Sequence, residues 1–205
     1  MNHKPSGGAN GPAAVLAGIR HGDLWVFGYG SLMWSPGFRY REKSIGLLHG
    51  YRRTLCILSH RYRGTPERPG LVLGLERSGS CRGVAYRVAR REAPRVLALL
   101  WHREMRGRAY TPRLVRVRLA DARVVRALAF VADTRHPQFA GRLELRETAR
   151  LVAQGVGARG ACADYLHNTL EHMRALQMRD ARLEDALREA RRLRARRRLD
   201  RIAAE

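Results

Sequence analysis

The change of hydrophobic period along the chain constrains its fold more than any other feature. Up to about residue 131 the apolar residues alternate or form short buried runs, with one helical stretch between them; from Leu143 onward they recur at helical spacing. Leu24 to Phe27, closed by Gly28, reads as a buried strand. Ser44 to Ser59 reads as one long bent strand or two consecutive ones, with Gly46 and Gly50 as bulges. Residues 60–70, with Pro66 and Pro69, read as a loop. Leu71 to Glu76 and Arg82 to Val88 read as a hairpin around Ser78-Gly79-Ser80-Cys81. Arg91 to Arg103 carries Val96, Leu97, Leu99, Leu100 and Trp101, the pattern of a buried helix. Arg113 to Leu119 alternates apolar and basic residues and pairs with Val124 to Val131 across Asp121–Ala122. Helices follow near 144–154, 161–175 and 181–201, separated by Gly155, Gly157, Gly160 and Arg179–Asp180. Strands first and helices last predict an α+β fold: a mixed, mainly antiparallel, barrel-like sheet flanked by helices. The order argues against a doubly wound parallel sheet, which would alternate regularly.

At 205 residues the chain suffices for one domain with a core of its own, and 45% hydrophobic residues exclude disorder. Residues 1–22 read as a flexible leader, 23–178 as the domain and 179–205 as a basic helical extension. No apolar run reaches a membrane span, and Ala13 to Ile19 lacks the basic start of a signal peptide. Cys56, Cys81 and Cys162 are scattered, which suggests neither a disulfide framework nor a zinc site and points to the cytoplasm. The formal charge of +22 invites a nucleic-acid reading. However, all but Lys4 and Lys43 of the forty basic residues are arginine, spread along the chain, a skew that coding bias also produces. The one dense cluster, Arg188 to Arg201, holds eight arginines against Glu189 and Asp200. It fits a solvated or partner helix, with Leu183, Leu187, Leu193 and Leu199 between the charges, or an arm for nucleic acid or another acidic surface.

Two groups of residues can carry chemistry. Phe27-Gly28-Tyr29-Gly30-Ser31-Leu32 ends a buried strand with two glycines around a tyrosine, a sequence that suits either a tight turn or a nest of N–H groups for a carboxylate or oxyanion. It matches neither GxGxxG nor GxSxG. Glu104 is the one carboxylate between Glu92 and Asp121, at the end of an apolar helix. Partial burial there suits a general base; the alternative is a simple ion pair with Arg103, Arg106 or Arg108. The histidines show no metal-ligand spacing, and Cys56 lies in an apolar strand as a core residue.

In order and interval, Trp25–Trp34 (WVFGYGSLMW), Arg63–Glu76 (RGTPERPGLVLGLE), Gly83–Val88 (GVAYRV), Arg103–Glu104 and Asp164–Thr169 (DYLHNT) resemble the ChaC-like γ-glutamylcyclotransferases over roughly residues 24–178. The resemblance implies a mixed β-barrel with flanking helices as catalytic domain, no metal and no cofactor. It implies action on glutathione, a small-molecule substrate released as 5-oxoproline and Cys-Gly, which leaves a nucleic acid as the less favoured partner. Another γ-glutamyl amine or dipeptide is the alternative substrate. By the family's motifs Glu104 is the catalytic acid/base, Tyr29, Gly30, Ser31 and Leu32 hold the glutamyl moiety, and Tyr110 and Tyr165 bind substrate. The chain departs from the family in its basic Met105–Ala109 segment, in Gly160–Ala163, and in the arginine-rich stretch after residue 180.

Overall fold

A computed structural model of the chain describes residues 11–19 and 22–203. Among the described residues twelve helices and strands follow one another: α1 (Pro12–Gly18), β1 (Leu24–Gly28), β2 (Glu42–Ser59), β3 (Gly70–Val88), α2 (Ala93–Glu104), β4 (Tyr110–Leu119), β5 (Val124–Ala132), α3 (Leu145–Gln154), β6 (Val156–Gly157), β7 (Gly160–Ala161), α4 (Cys162–Ala175) and α5 (Ala181–Ile202), with a 3-10 turn at Ser31–Met33 after β1. The first five strands close into a barrel in the order β1-β3-β2-β4-β5. β1 pairs antiparallel with β3 and parallel with β5, and β4 runs antiparallel to both β2 and β5. The sheet is therefore mixed and mainly antiparallel, as the order of periods requires.

The chain divides into two compact units. Among the described residues the first comprises 11–19, 22–53 and Leu75–Asp133. Its core joins Leu24 and Val26 of β1, Leu32 of the 3-10 turn, Val88 of β3, Leu128 and Phe130 of β5, and Val96, Leu97 and Leu100 of α2. α2 shows the 3.6-residue spacing of an amphipathic helix, and burying that face holds it as a helix. Of the expected leader, residues 1–10, 20 and 21 lie outside the described residues, while Pro12–Gly18 form α1 and bury Val15 in this core.

The second unit comprises Thr54–Gly74 and the described residues from Thr134 to Ala203. α3 packs against α4 and α5. α5 is no free extension along its first half, where Leu183, Ala186, Leu187 and Ala190 are buried; Leu199 and Ile202 further on are exposed. Gly155, which separates helices, is needed for close approach: a Cβ there would lie 2.4 Å from the Arg63 carbonyl oxygen.

Two details differ from the sequence reading. Residues 70–88 form one continuous strand, not a hairpin about Ser78–Cys81. The small polar residues there imitate a turn, but Arg77–Ser80 lie exposed on the strand, where no core demands apolar side chains. Gly46 is not left-handed; a Cβ on it would sit 2.5 Å from Val117 Cγ1, so glycine is required for packing, whereas Gly50 does take a positive φ of +79°.

Candidate active site

β1 is buried at all five positions and delivers Tyr29 directly from its end into the barrel. The Tyr29 hydroxyl donates to the Phe130 carbonyl at 2.7 Å, and its own carbonyl accepts from Arg53 Nε at 2.5 Å. Arg53 is 9% exposed. Its Nη2 donates to the Arg82 carbonyl at 2.7 Å and lies 3.6 Å from Met33 Sδ. Tyr86 donates to the Met33 carbonyl at 2.6 Å. Burial, with Tyr40 close by, pushes the Tyr86 phenol up to about 12. The 29–33 turn is thus clamped from beneath by an arginine and a tyrosine.

Neither Gly28 nor Gly30 has a positive φ, and Gly28 is there for close approach rather than for a left-handed backbone. A Cβ on Gly28 would stand 2.9 Å from Leu32 Cβ, and one on Gly83 of β3 would stand 2.4 Å from the Gly28 carbonyl oxygen. Within the turn the Met33 N–H returns to the Gly30 carbonyl at 2.8 Å, and the Ser35 N–H to that of Ser31 at 2.9 Å. The N–H groups ahead of Met33, those of Ser31 and Leu32, precede the first acceptor such a turn can offer. Tyr29 and Leu32 turn inward as buried anchors, leaving Gly30 and Ser31 half-buried.

Glu104 is the last residue of α2, whose apolar face shares a core with Leu32. That common packing sets the helix end against the turn. Arg103 Nε stands 3.0 Å from Glu104 Oε1, so the ion pair open to the acid from its neighbours does form. It does not draw Glu104 away from the turn, because the same guanidinium donates from Nη2 to Ser31 Oγ at 2.7 Å and from Nη1 to the Ser35 carbonyl at 2.6 Å. One guanidinium thus contacts both the acid and the serine hydroxyl. Tyr110 opens β4 opposite Ala132, half-buried against the same core as Leu32 and Phe130. The acid, the serine and Tyr110 therefore belong to one unit.

The family model for ChaC-like proteins matches residues 24–193. The chain belongs to the ChaC-like family. Over 166 residues, 81% of this chain and 72% of its relative, it is 38% identical to a protein of Escherichia coli (strain K12) named glutathione-specific gamma-glutamylcyclotransferase. A Danio rerio protein, glutathione-specific gamma-glutamylcyclotransferase 1, is 34% identical over 167 residues, 80% of this chain and 84% of its own. The crystal structure of a yeast gamma-glutamyl cyclotransferase specific to glutathione shares the fold, with a TM-score of 0.76 at 22% identity, covering 85% of this chain and 98% of that one.

Tyr165 of this ChaC-like chain lies in the second unit, on α4. Its hydroxyl accepts from the Leu73 N–H at 3.4 Å, and the Arg63 guanidinium stands 5.1 Å from its ring centroid. Three residues before it, the Cys162 thiol exchanges hydrogen bonds with the Leu71 backbone, donating at 3.0 Å and accepting at 3.3 Å. Burial pushes this thiol up to about 11. Cys56 and Cys81 are likewise buried and in no disulfide. Among the described residues no cluster of His, Cys, Asp and Glu is arranged to hold a metal ion, and no helix is long and apolar enough to cross a membrane.

Sequence reasoning missed two arginines. Arg103 entered only as an ion-pair partner for Glu104, and nothing in its spacing reveals the bond to Ser31. Arg53 left a signal: it is two residues from Leu55 and four from Ile57, and that period places it on their inward face.

Proposed function

We propose that this protein is a γ-glutamylcyclotransferase that cleaves glutathione to 5-oxoproline and Cys-Gly, with Glu104 as the acid/base. The names of its curated relatives support the substrate. The observation that carries the mechanism is the single guanidinium joining Ser31 of the turn to Glu104. It sets the lone acid of the segment beside the turn that matches the family's glutamyl-binding motif.

The nucleophile is the substrate's own α-nitrogen, so the protein need supply no serine or cysteine. The α-nitrogen attacks the γ-carbonyl carbon, a C–N bond forms and closes a five-membered lactam, and the bond from that carbon to the cysteinyl nitrogen breaks. Two protons leave the α-nitrogen and two reach the departing nitrogen; no water or oxidant is consumed. Glu104 accepts from the first nitrogen and donates to the second, a role worth roughly 10² to 10⁴ in rate. Gly30 and Ser31 border the glutamyl chain, Tyr29 and Leu32 hold them in place, and the backbone N–H groups of the turn favour charge developing on the γ-carbonyl oxygen. Tyr110 enters as a binding residue by its match to the family pattern; Tyr165 matches it too, and its phenol is tested separately below. Three scattered cysteines held as thiols support the cytoplasm as the compartment.

Incubating the purified protein with glutathione tests the reading. Equimolar 5-oxoproline and Cys-Gly are expected, faster than from γ-glutamyl dipeptides; no 5-oxoproline from either would refute the activity, and faster dipeptide turnover would refute glutathione as the preferred substrate.

A further inference from the structure

The glutamyl end of a γ-glutamyl peptide carries an ammonium and a carboxylate on the same carbon. Lactam closure uses the nitrogen, while the carboxylate takes no part in making or breaking bonds. It nevertheless enters a half-buried site beside an acid, where an anion without a counter-charge is costly. A γ-glutamyl site built around Glu104 therefore needs a cation within a few ångströms of that acid.

Arg103 stands there. A guanidinium has five N–H donors in a planar fork. Nε faces Glu104 in an ion pair at 3.0 Å, Ser31 Oγ accepts one N–H at 2.7 Å and the Ser35 carbonyl one at 2.6 Å. The other two have no protein acceptor among the described residues, and the side chain keeps 26% exposure, enough to reach a ligand. Other arginines of this unit suit the task less well. Arg53 is buried and holds the Tyr29 and Arg82 carbonyls. Arg106 and Arg108 are exposed on the connection after α2.

We infer that Arg103 is the receptor for the substrate's α-carboxylate and so sets the requirement for an α-amino acid head group. This rests on the γ-glutamylcyclotransferase reading. The head group enters the Arg103–Glu104 pair with opposite polarity, carboxylate on the guanidinium and ammonium on Glu104. One ion pair is exchanged for two, and no charge is left without a partner during binding. The bonds to Ser31 and Ser35 persist, so the carboxylate is fixed relative to the turn. The glutamyl chain then folds back over Ser31, bringing its nitrogen towards its own γ-carbonyl. A lysine would keep the charge but not the fork that holds turn and ligand together.

The test compares glutathione with γ-aminobutyryl-cysteinylglycine, which lacks the α-carboxylate but keeps the amine and the scissile amide and closes to 2-pyrrolidinone. Losing one partner of a desolvated charge pair costs on the order of 30-fold to several thousand-fold in affinity. The wild type is expected to prefer glutathione in kcat/KM by about 100-fold or more. In Arg103→Met that preference should fall below about tenfold, and Arg103→Lys should retain part of it with a raised KM. A wild type that turns over both compounds equally would overturn the inference without any variant being needed. So would an Arg103→Met enzyme with the full preference. A wild type inactive on glutathione would instead overturn the activity on which the inference stands.

Discussion

Replacing Arg53 by methionine removes the clamp beneath the turn at little change in volume. Two bonds from a charged donor are lost, to the Tyr29 carbonyl at 2.5 Å and the Arg82 carbonyl at 2.7 Å. Hydrogen bonds to charged groups contribute about 1.5–3 kcal/mol each, so the gross loss is about 3–6 kcal/mol. Removing a buried charge also removes its desolvation cost, which returns part of that. We expect a net destabilisation of about 3 kcal/mol, or a Tm lower by about 6–12 °C for a chain of this size. The functional effect should be larger in relative terms. A turn displaced by about 1 Å loses about 100-fold in rate, because lactam closure depends on how the glutamyl chain is folded. Arg53→Lys, with a point charge in place of the fork, should recover less than half of the stability. Thermal unfolding followed by circular dichroism and 5-oxoproline release from glutathione measure the two effects. An Arg53→Met protein with a Tm within about 2 °C of wild type and undiminished kcat/KM would refute the argument that this arginine positions the turn.

Glu104→Gln should lower kcat by about 10² to 10⁴ with little change in Tm, since its ion pair with Arg103 is partly exposed; near-wild-type turnover would remove Glu104 from the mechanism. Gly28→Ala should destabilise by about 1–3 kcal/mol, because its Cβ would meet Leu32 Cβ at 2.9 Å, whereas a bulky residue at the half-buried Gly30 should raise KM more than it lowers Tm; a large Tm loss with unchanged KM would contradict this. Tyr86 has a folded-state pKa raised to about 12 from 10.0, so it stabilises fully below pH 10 and that contribution disappears as pH rises towards 12; alkaline unfolding curves of wild type and Tyr86→Phe should converge across that window. Tyr165→Phe should raise KM for glutathione at unchanged Tm if the phenol binds substrate, and a lowered Tm with unchanged KM would assign it to the Leu73 backbone instead.

What could be read from the sequence followed from what each residue must bury. β4 and β5 alternate because one face of each meets the barrel interior, and their pairing through Leu114 and Leu128 matches the turn expected at Asp121–Ala122. The long helices were legible for the same reason. β3 was cut in two because Arg77–Ser80 bury nothing, so the sequence was free to place small polar residues there and the pattern lapsed while the backbone pairing continued. α1 was hidden by its glycine- and proline-rich surroundings, though Val15 reaches the core.

The site divides in the same way, and the division follows from the chemistry. A reaction whose nucleophile comes with the substrate needs one proton carrier and a shaped turn, and both have sequence signatures: Glu104 is the single acid of its stretch, and Gly28 and Gly30 flank the tyrosine that ends β1. Shape, however, has to be held, and here it is held by side chains acting on backbone carbonyls far away in sequence. Arg53 grips the carbonyl of Tyr29, 24 residues before it, and Arg103 reaches back to Ser31 across 72 residues. In a chain with so many arginines such contacts leave no trace in composition or local spacing. An arginine on the inward phase of a strand, and one next to the sole acid of a helix end, are the two placements a solvated charge does not explain, and they are the two that hold this turn.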